Sequence, residues 1–401
     1  SAAYGYISYQ TAWLKAHYRP EYMAALMTIE AANTDKVLMY IDDCKNSGIR
    51  IDPVCVNNSE RRFDVPAPDD RPDGDSIRFG LAAVKNVGSG AVESLLQTRA
   101  EEGGKWTDAF HFFRTLDYKR VNKRVLENLI KAGALDWTGI TRRTLFEGLA
   151  DAISAAQRVQ ADKAAGQASL FSLMPAATAT PQHHFRELPE WPLSKRLGFE
   201  RDVLGMYQSG HPMESYRDDV ERYGTHSIGG LAEVDENLEI RVVGLPGDVR
   251  VVRTRRGDKM AFVQLTDIDG AVEAVFFADA WTSSQKAVSS GEAVVVSGRS
   301  QHRDGEVKIR AESAQRLVDV RARATRRVIV DLSLEELSRR NGLKDFLGLL
   351  EGQSGECETE LRIHHEDWVA HLQLTRYRVE PGLGLEEGAE SLYGRRVVTL
   401  T

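Results

Sequence analysis

The chain has 401 residues, enough for two to four domains with cores of their own. Its apolar and charged fractions, 42% and 28%, are those of an ordinary globular protein, and no apolar run approaches the length of a membrane span. The formal charge of −7 excludes a uniformly basic nucleic-acid binder but leaves room for local basic patches. Cys44, Cys55 and Cys357 are too few and too scattered for a cysteine zinc site. They suit a reducing cytoplasm, where the chain is expected.

In chain order, residues 1–48 read as helices with an apolar face at Ile7, Trp13, Leu14 and Tyr18. Pro20 suits the first turn of the next helix, and Asn33 or Thr34 caps a third that ends at Gly48. Asp52 to Asp75 is rich in Pro and Asp and is expected to be an irregular, solvated connection. Ser1 enters a helical pattern without cap or lead-in, so the chain is expected to be a piece of a longer protein. Residues 76–150 are short helices broken by glycines. Residues 151–237 begin with a polar helix, pass through a proline-containing linker, and return to helix at Leu193–Met206 and Met213–Tyr223.

At 238–320 the period changes to two. Five β-rich runs, Ile240–Val252, Met260–Leu265, Ala271–Phe277, Ala293–Ser300 and Glu306–Val318, leave room for a helix at Ala278–Val288, after the third. That order is the signature of an OB-fold barrel. Residues 321–401 read as a small α/β unit: strand Arg327–Leu332, helix Leu334–Leu350, strand Glu358–His364. The fold class is therefore multidomain α+β.

Two segments carry nucleic-acid chemistry. Leu81–Leu96 fits a helix-hairpin-helix in which Gly88 and Gly90, flanking Ser89 and preceded by Lys85 and Val87, let backbone amides approach phosphate. A second helical pair runs through Lys119, Arg120, Asn122, Lys123 and Arg124 to Gly133, in a stretch with six Lys or Arg against two acids. An ordinary interhelical turn is the alternative for either alone. In the barrel, Arg253, Arg255, Arg256 and Lys259 crown the first hairpin. Phe262, Phe276 and Phe277 are candidates to stack bases on the face of strands two and three, with a place in the core as the alternative for each. Phe276 and Phe277 point to opposite faces, so at least one is core.

The linker pentapeptide Gln167-Ala-Ser-Leu-Phe171 offers an amide (Gln167) and two apolar anchors (Leu170, Phe171) to a pocket on another protein. The pairs Asp42-Asp43, Asp69-Asp70 and Asp218-Asp219 are expected to be solvated. His183-His184 and His364-His365 lack metal spacing, and no nucleophile elbow, phosphate loop or two-metal carboxylate pair is visible. No catalytic residue and no metal ligand are assigned.

Taken together, these pieces resemble the C-terminal half of the alpha subunit of bacterial replicative DNA polymerase III, the C-family DNA polymerases. The resemblance rests on Ser1–Tyr18 with Glu21–Leu26 (a fingers-region helix) and on RFGLAAVKNVG at Arg78–Gly88 with Asn122–Asp136 (a tandem helix-hairpin-helix). It rests also on Leu204–Pro212 and Met260–Asp267, before and within the OB domain. It implies a fingers remnant at 1–75, a tandem hairpin DNA-binding domain at 76–150, and a helical linker at 151–237 whose Gln167–Phe171 falls where the family carries its sliding-clamp motif. It implies an OB domain for single strands at 238–320 and contact of 321–401 with the clamp-loader tau subunit.

Primer-template DNA, single-stranded template, clamp and tau are thus the expected partners, with no membrane among them. The parent enzyme would be a DNA-directed DNA polymerase. Its catalytic aspartates and Mg²⁺ would belong to a palm domain upstream of Ser1, leaving this segment non-catalytic and without a cofactor. Pro53–Ser59 departs from the family pattern, with Cys55 in place of an aspartate. An error-prone alpha-like paralogue, or a non-catalytic OB and helix-hairpin-helix accessory protein, are the other readings.

Overall fold

The computed structural model describes residues 2–31, 33–70, 74–164, 183–253, 257–303, 306–339, 341–366 and 368–401. They form two compact units, 1–191 with 195–208, and 192–194 with 209–401.

The first unit opens with α1 (Ala2–His17), α2 (Arg19–Ile29) and α3 (Thr34–Asn46). Pro20 lies in the first turn of α2, where a missing N–H breaks no helical bond. Asn33 is the cap of α3, accepting from the Lys36 amide. Met23 and Met27 of α2, with Val37, Ile41 and Cys44 of α3, are spaced for one helical face each and are buried. The apolar face read in α1 lies on the surface: Ile7, Trp13, Leu14 and Tyr18 are 43–54% exposed.

The segment read as a solvated connection is ordered. A short parallel pair, β1 (Arg50–Asp52) with β2 (Ser76–Arg78), frames it. Val54 and Val56 are buried, and the Val56 amide donates to the Ala134 carbonyl. Asn57 brackets the Trp106 backbone, accepting from its amide at 2.9 Å and donating to its carbonyl at 3.1 Å. The Cys55 amide donates to Ser59 Oγ, so this loop is held by its backbone and by Asn57.

Six further helices complete the unit: α4 (Ser89–Glu101), α5 (Ala109–Thr115), α6 (Lys123–Lys131), α7 (Arg142–Glu147), α8 (Leu149–Ala164) and α9 (Leu193–Leu204). In α6 the positions 125, 126, 129 and 130 form one stripe, and Val125, Leu126, Leu129 and Ile130 are all buried. Phe112 and Phe113 fill the centre, with Trp106 edge-on to Phe112 at 4.9 Å.

In the second unit, the helix expected from Met213 is a 3₁₀ turn (Pro212–Tyr216) followed by α10 (Arg217–Tyr223). His211 and Glu214 make a reciprocal cap over that turn. The barrel consists of β3 (Glu239–Arg253), β4 (Lys259–Thr266), β5 (Ala271–Phe276), then α11 (Ala278–Val288), β6 (Val294–Arg303) and β7 (Glu306–Arg316). The strands close in the order β3-β4-β5-β7-β6, with β5 and β7 parallel and the other pairs antiparallel. This is an OB-fold.

Inward residues alternate along each strand: Ala261, Val263 and Leu265 of β4 meet Val272, Ala274 and Phe276 of β5. Asp267, 5% exposed, holds the β4–β5 turn, accepting from the amides of Asp269 and Gly270 on one oxygen and Ile228 on the other.

The remaining elements are α12 (Leu317–Ala324), β8 (Arg327–Ser333), α13 (Leu334–Ser338), α14 (Gly342–Gly352), β9 (Ser354–His365), β10 (Trp368–Val379), α15 (Leu383–Tyr393) and β11 (Val398–Leu400). Their sheet runs β10-β9-β8-β11, and one face buries Val328, Val330, Leu332 and Leu361 against Phe346, Leu350 and Leu385. The single helix read at 334–350 is interrupted, with Asn341 in the left-handed region at φ 71°. Strand β10 and helix α15 were not anticipated. Asp219 is a further correction, since only Asp218 of that pair is solvated. Asp219 is buried against Arg321 at 3.2 Å, and Arg321 also holds Glu386 at 2.7 Å.

Candidate nucleic-acid interface

The first hairpin is anchored from within. Leu81, Val84 and Val87 are buried beneath it, and the Lys85 amide donates to the Val203 carbonyl at 2.8 Å. Asn86 takes the left-handed conformation at φ 64°, which turns the chain into α4. Helix α4 starts at Ser89 without a side-chain cap, so its first amides keep their donor capacity. Gly88 has φ −70°, a conformation any residue adopts. A Cβ placed on Gly88 or on Gly90 would meet nothing within 4 Å. Neither internal packing nor backbone strain demands glycine here, and the open space leaves room for a backbone to approach closely from outside.

The second hairpin is equally well built. Val121 is fully buried, Tyr118 Oη donates to the Phe113 carbonyl, and Asn122 caps α6 by accepting from the Val125 amide at 3.1 Å. Lys119, Arg120, Lys123 and Arg124 stand exposed around it. Arg124 Nη2 reaches Asn86 Oδ1 at 3.4 Å, so the basic hairpin and the open glycine turn share one surface. A charged rim beside unhindered helix-terminal amides is suited to phosphate contact.

On the barrel, directly opposed residues share a face. Arg250, Phe262, Val275 and Arg310 form one such row across β3, β4, β5 and β7. The Arg250 guanidinium lies 4.6 Å from the Phe262 ring centre and that of Arg310 lies 5.6 Å from the ring of Phe277. Phe277, just past β5, is 48% exposed. In the next row Lys308 pairs with Glu273 at 2.9 Å, and that hydrogen bond raises the lysine's pKa. Arg253 and Lys259 are opposed at the outer end of the hairpin, both exposed.

A family model described as a helix-hairpin-helix motif matches residues 48–145, and one described as an OB-fold nucleic acid binding domain matches residues 247–317. The chain is 33% identical to DNA polymerase III subunit alpha of Vibrio cholerae serotype O1, an alignment covering all of this chain and 34% of that protein. For the same subunit of Pseudomonas aeruginosa the identity is 35%, over all of this chain and 35% of the relative. For Escherichia coli K12 it is 32%, over all of this chain and 34% of the relative. The chain is homologous to a segment of DNA polymerase III subunit alpha. It spans about a third of the length of these relatives.

Within the chain the structure brings Lys85, Gly88, Ser89, Gly90, Lys119, Arg120, Asn122, Lys123 and Arg124 to two adjoining hairpins. Three proposed contact residues need correcting. Gly133, at φ 79°, is buried with the Arg142 guanidinium packed where a side chain would go, so it serves packing. Val87 is buried and its amide is spent on the Val84 carbonyl. Phe276 is fully buried in the barrel, edge-on to Trp281, and presents no face for stacking. Gln167, Leu170 and Phe171, and likewise Arg255 and Arg256, lie outside the described residues.

Sequence reasoning did not pair Arg250 with Phe262 or Arg310 with Phe277, and it left open which of Phe276 and Phe277 faces outward. The available signal was the alternation in β5, which requires Phe277 to point outward once Phe276 points in. Among the described residues no three His, Cys, Asp or Glu side chains gather as a metal site, and no helix is long and apolar enough to cross a membrane.

Proposed function

We infer that this chain is the DNA-holding region of a replicative DNA polymerase III alpha subunit. Its tandem hairpins grip the duplex backbone of primer-template, and its barrel face receives the single-stranded template. The observation that carries this reading is the juxtaposition at Arg124 and Asn86: an uncapped helix start with two glycines free of internal neighbours, beside four exposed cations. Such contacts read no sequence, as suits an enzyme that must copy any template. Arg250 with Phe262, and Arg310 with Phe277, supply the ring-and-cation pairs that bind successive bases.

Gln167, Leu170 and Phe171 dock the sliding clamp, converting a fast-dissociating contact into an effectively intramolecular one. The last segment, from residue 321, meets the clamp-loader tau subunit. Mg²⁺-dependent nucleotidyl transfer belongs, on this reading, to a palm domain elsewhere in the parent polymerase.

The test is binding of the chain to primer-template DNA across a salt series, and to the cognate clamp. Replacing Lys119, Arg120, Lys123 and Arg124 by glutamine is expected to reduce the salt slope by about 0.9 for each phosphate no longer neutralised. Gln167→Ala with Leu170→Ala and Phe171→Ala is expected to abolish clamp binding and leave DNA binding intact. DNA binding without salt dependence would overturn the hairpin assignment. Clamp binding that survives the triple change would move the tether elsewhere.

A further inference from the structure

The four-stranded sheet β10-β9-β8-β11 ends in two unlike edges. Strand β11 is three residues long, too short to template another strand. Strand β10 is twelve residues long and, among the described residues, pairs on one side only, with β9. Along its regular stretch, Trp368 to Gln373, alternate residues turn both amide and carbonyl to the open side. Edges of this kind are ordinarily blunted by lysine, proline or an inward charge. This stretch has neither proline nor lysine, and Trp368, Val369 and Leu372 are each nearly half exposed.

The charge carried by β10 itself has one sign. Strand β10 contains no acid, and Arg376 and Arg378 stand exposed at its far end. Of the acids behind it on β9, Glu360 accepts from Arg327, Arg362 and His371, Glu358, opposite Arg378, accepts from Gln373, and Glu356 is exposed. Hydrogen bonds from Arg362, then His371, hold the Glu360 carboxyl down at about 2. An incoming strand therefore meets main-chain donors and acceptors, an apolar row, and two exposed arginines carried by the edge strand itself.

We propose that β10 is a docking edge for an extended acidic segment of another protein, which adds as a fifth strand, laying apolar side chains beside Trp368 and Leu372 and carboxylates toward Arg376 and Arg378. The surface needs nothing from the DNA-holding reading and stands if that reading fails.

The experiment uses the full chain and a short acetylated peptide alternating valine and glutamate, followed by fluorescence anisotropy and amide hydrogen exchange. Binding is expected to protect amides between 368 and 376. N-methylating one alternate set of peptide nitrogens should abolish it, and N-methylating the other set should be tolerated. Arg376→Glu with Arg378→Glu should weaken binding by about tenfold, more at low salt. Equal effects of the two N-methylated peptides, protection elsewhere, or absence of binding would overturn the proposal. So would equal binding of a valine-lysine peptide, displacement by an oligonucleotide, or concentration-dependent protection without peptide, which would assign the edge to a second copy.

Discussion

Arg142 donates to Glu200 at 2.7 Å in the first unit, with the guanidinium 4% and the carboxylate 0% exposed. The second carboxylate oxygen accepts from the Gln208 amide at 2.7 Å, and the Gln208 side chain joins the Val54 amide to the Ala132 carbonyl. Asp136 takes the other side of the guanidinium at 2.7 Å. Although burial alone would lower the arginine pKa, Asp136 and then Glu200 raise it. Removing one partner of a buried pair strands the other. Glu200→Ala is therefore expected to cost about 3 kcal/mol in urea unfolding; a midpoint shift within error would show that Asp136 alone satisfies the guanidinium.

The glycines separate fold from function. Gly88→Ala and Gly90→Ala introduce a methyl group that touches nothing inside the protein, so stability should stay within about 0.5 kcal/mol. DNA affinity should nevertheless fall, because the methyl occupies the approach to the helix-terminal amides. Gly133→Ala should do the reverse, meeting both a left-handed φ and the Arg142 side chain. Thermal unfolding beside anisotropy on duplex DNA distinguishes the two classes.

Neighbouring phenylalanines make a second contrast. Phe276→Ala should cost about 3–5 kcal/mol of stability, as a fully buried ring leaves a cavity. Phe262→Ala and Phe277→Ala should each weaken single-strand binding by about 1–3 kcal/mol with little loss of fold. Titration with oligo-dT measures this, and an unaltered affinity in the Phe262→Ala, Phe277→Ala double variant would remove the outer face from the interface.

Burial, opposed by Arg321, pushes the Asp219 carboxyl up to about 6, above its unfolded value of about 3.9. The folded state thus holds this proton more tightly. Stability should fall as pH rises from about 4 to about 6 and level off above, by on the order of 2–3 kcal/mol for this group. Glu336 acts oppositely. Hydrogen bonding from Arg395 lowers it to about 2, so its contribution is present above about 4.5 and is lost as pH falls toward 2. The difference between wild type and Asp219→Asn across this range isolates the first effect; parallel curves would show that Asp219 stays ionised.

Much of the barrel was legible because strands with one buried face repeat with period two and their turns carry Asp-Gly. Observed strands begin and end within about three residues of those read from the pattern. Parity did not settle which of Phe276 and Phe277 faces inward, since both choices satisfy alternation; the register that places Phe276 beside Ala261 does. Strand β10 was illegible for the opposite reason. As an edge exposed along most of its length, it has no buried face to impose a period. Asp219 looks like Asp218 until Arg321, far along the chain, is folded against it. In the candidate interface, the hairpins were read from glycines and cations close together in sequence. Arg310 could not be, because it reaches Phe277 only through the parallel pairing of β5 with β7.

That parallel pairing sets a timetable for synthesis. Until Glu306–Arg316 has left the ribosome, the module is a curled sheet, β6-β3-β4-β5, whose outer strands β5 and β6 each expose a row of unpaired amides and carbonyls. Strand β7 closes both at once. The barrel therefore cannot mature gradually as it is translated; a stall or truncation just before residue 306 would leave its stickiest state standing, with self-association as the competing fate.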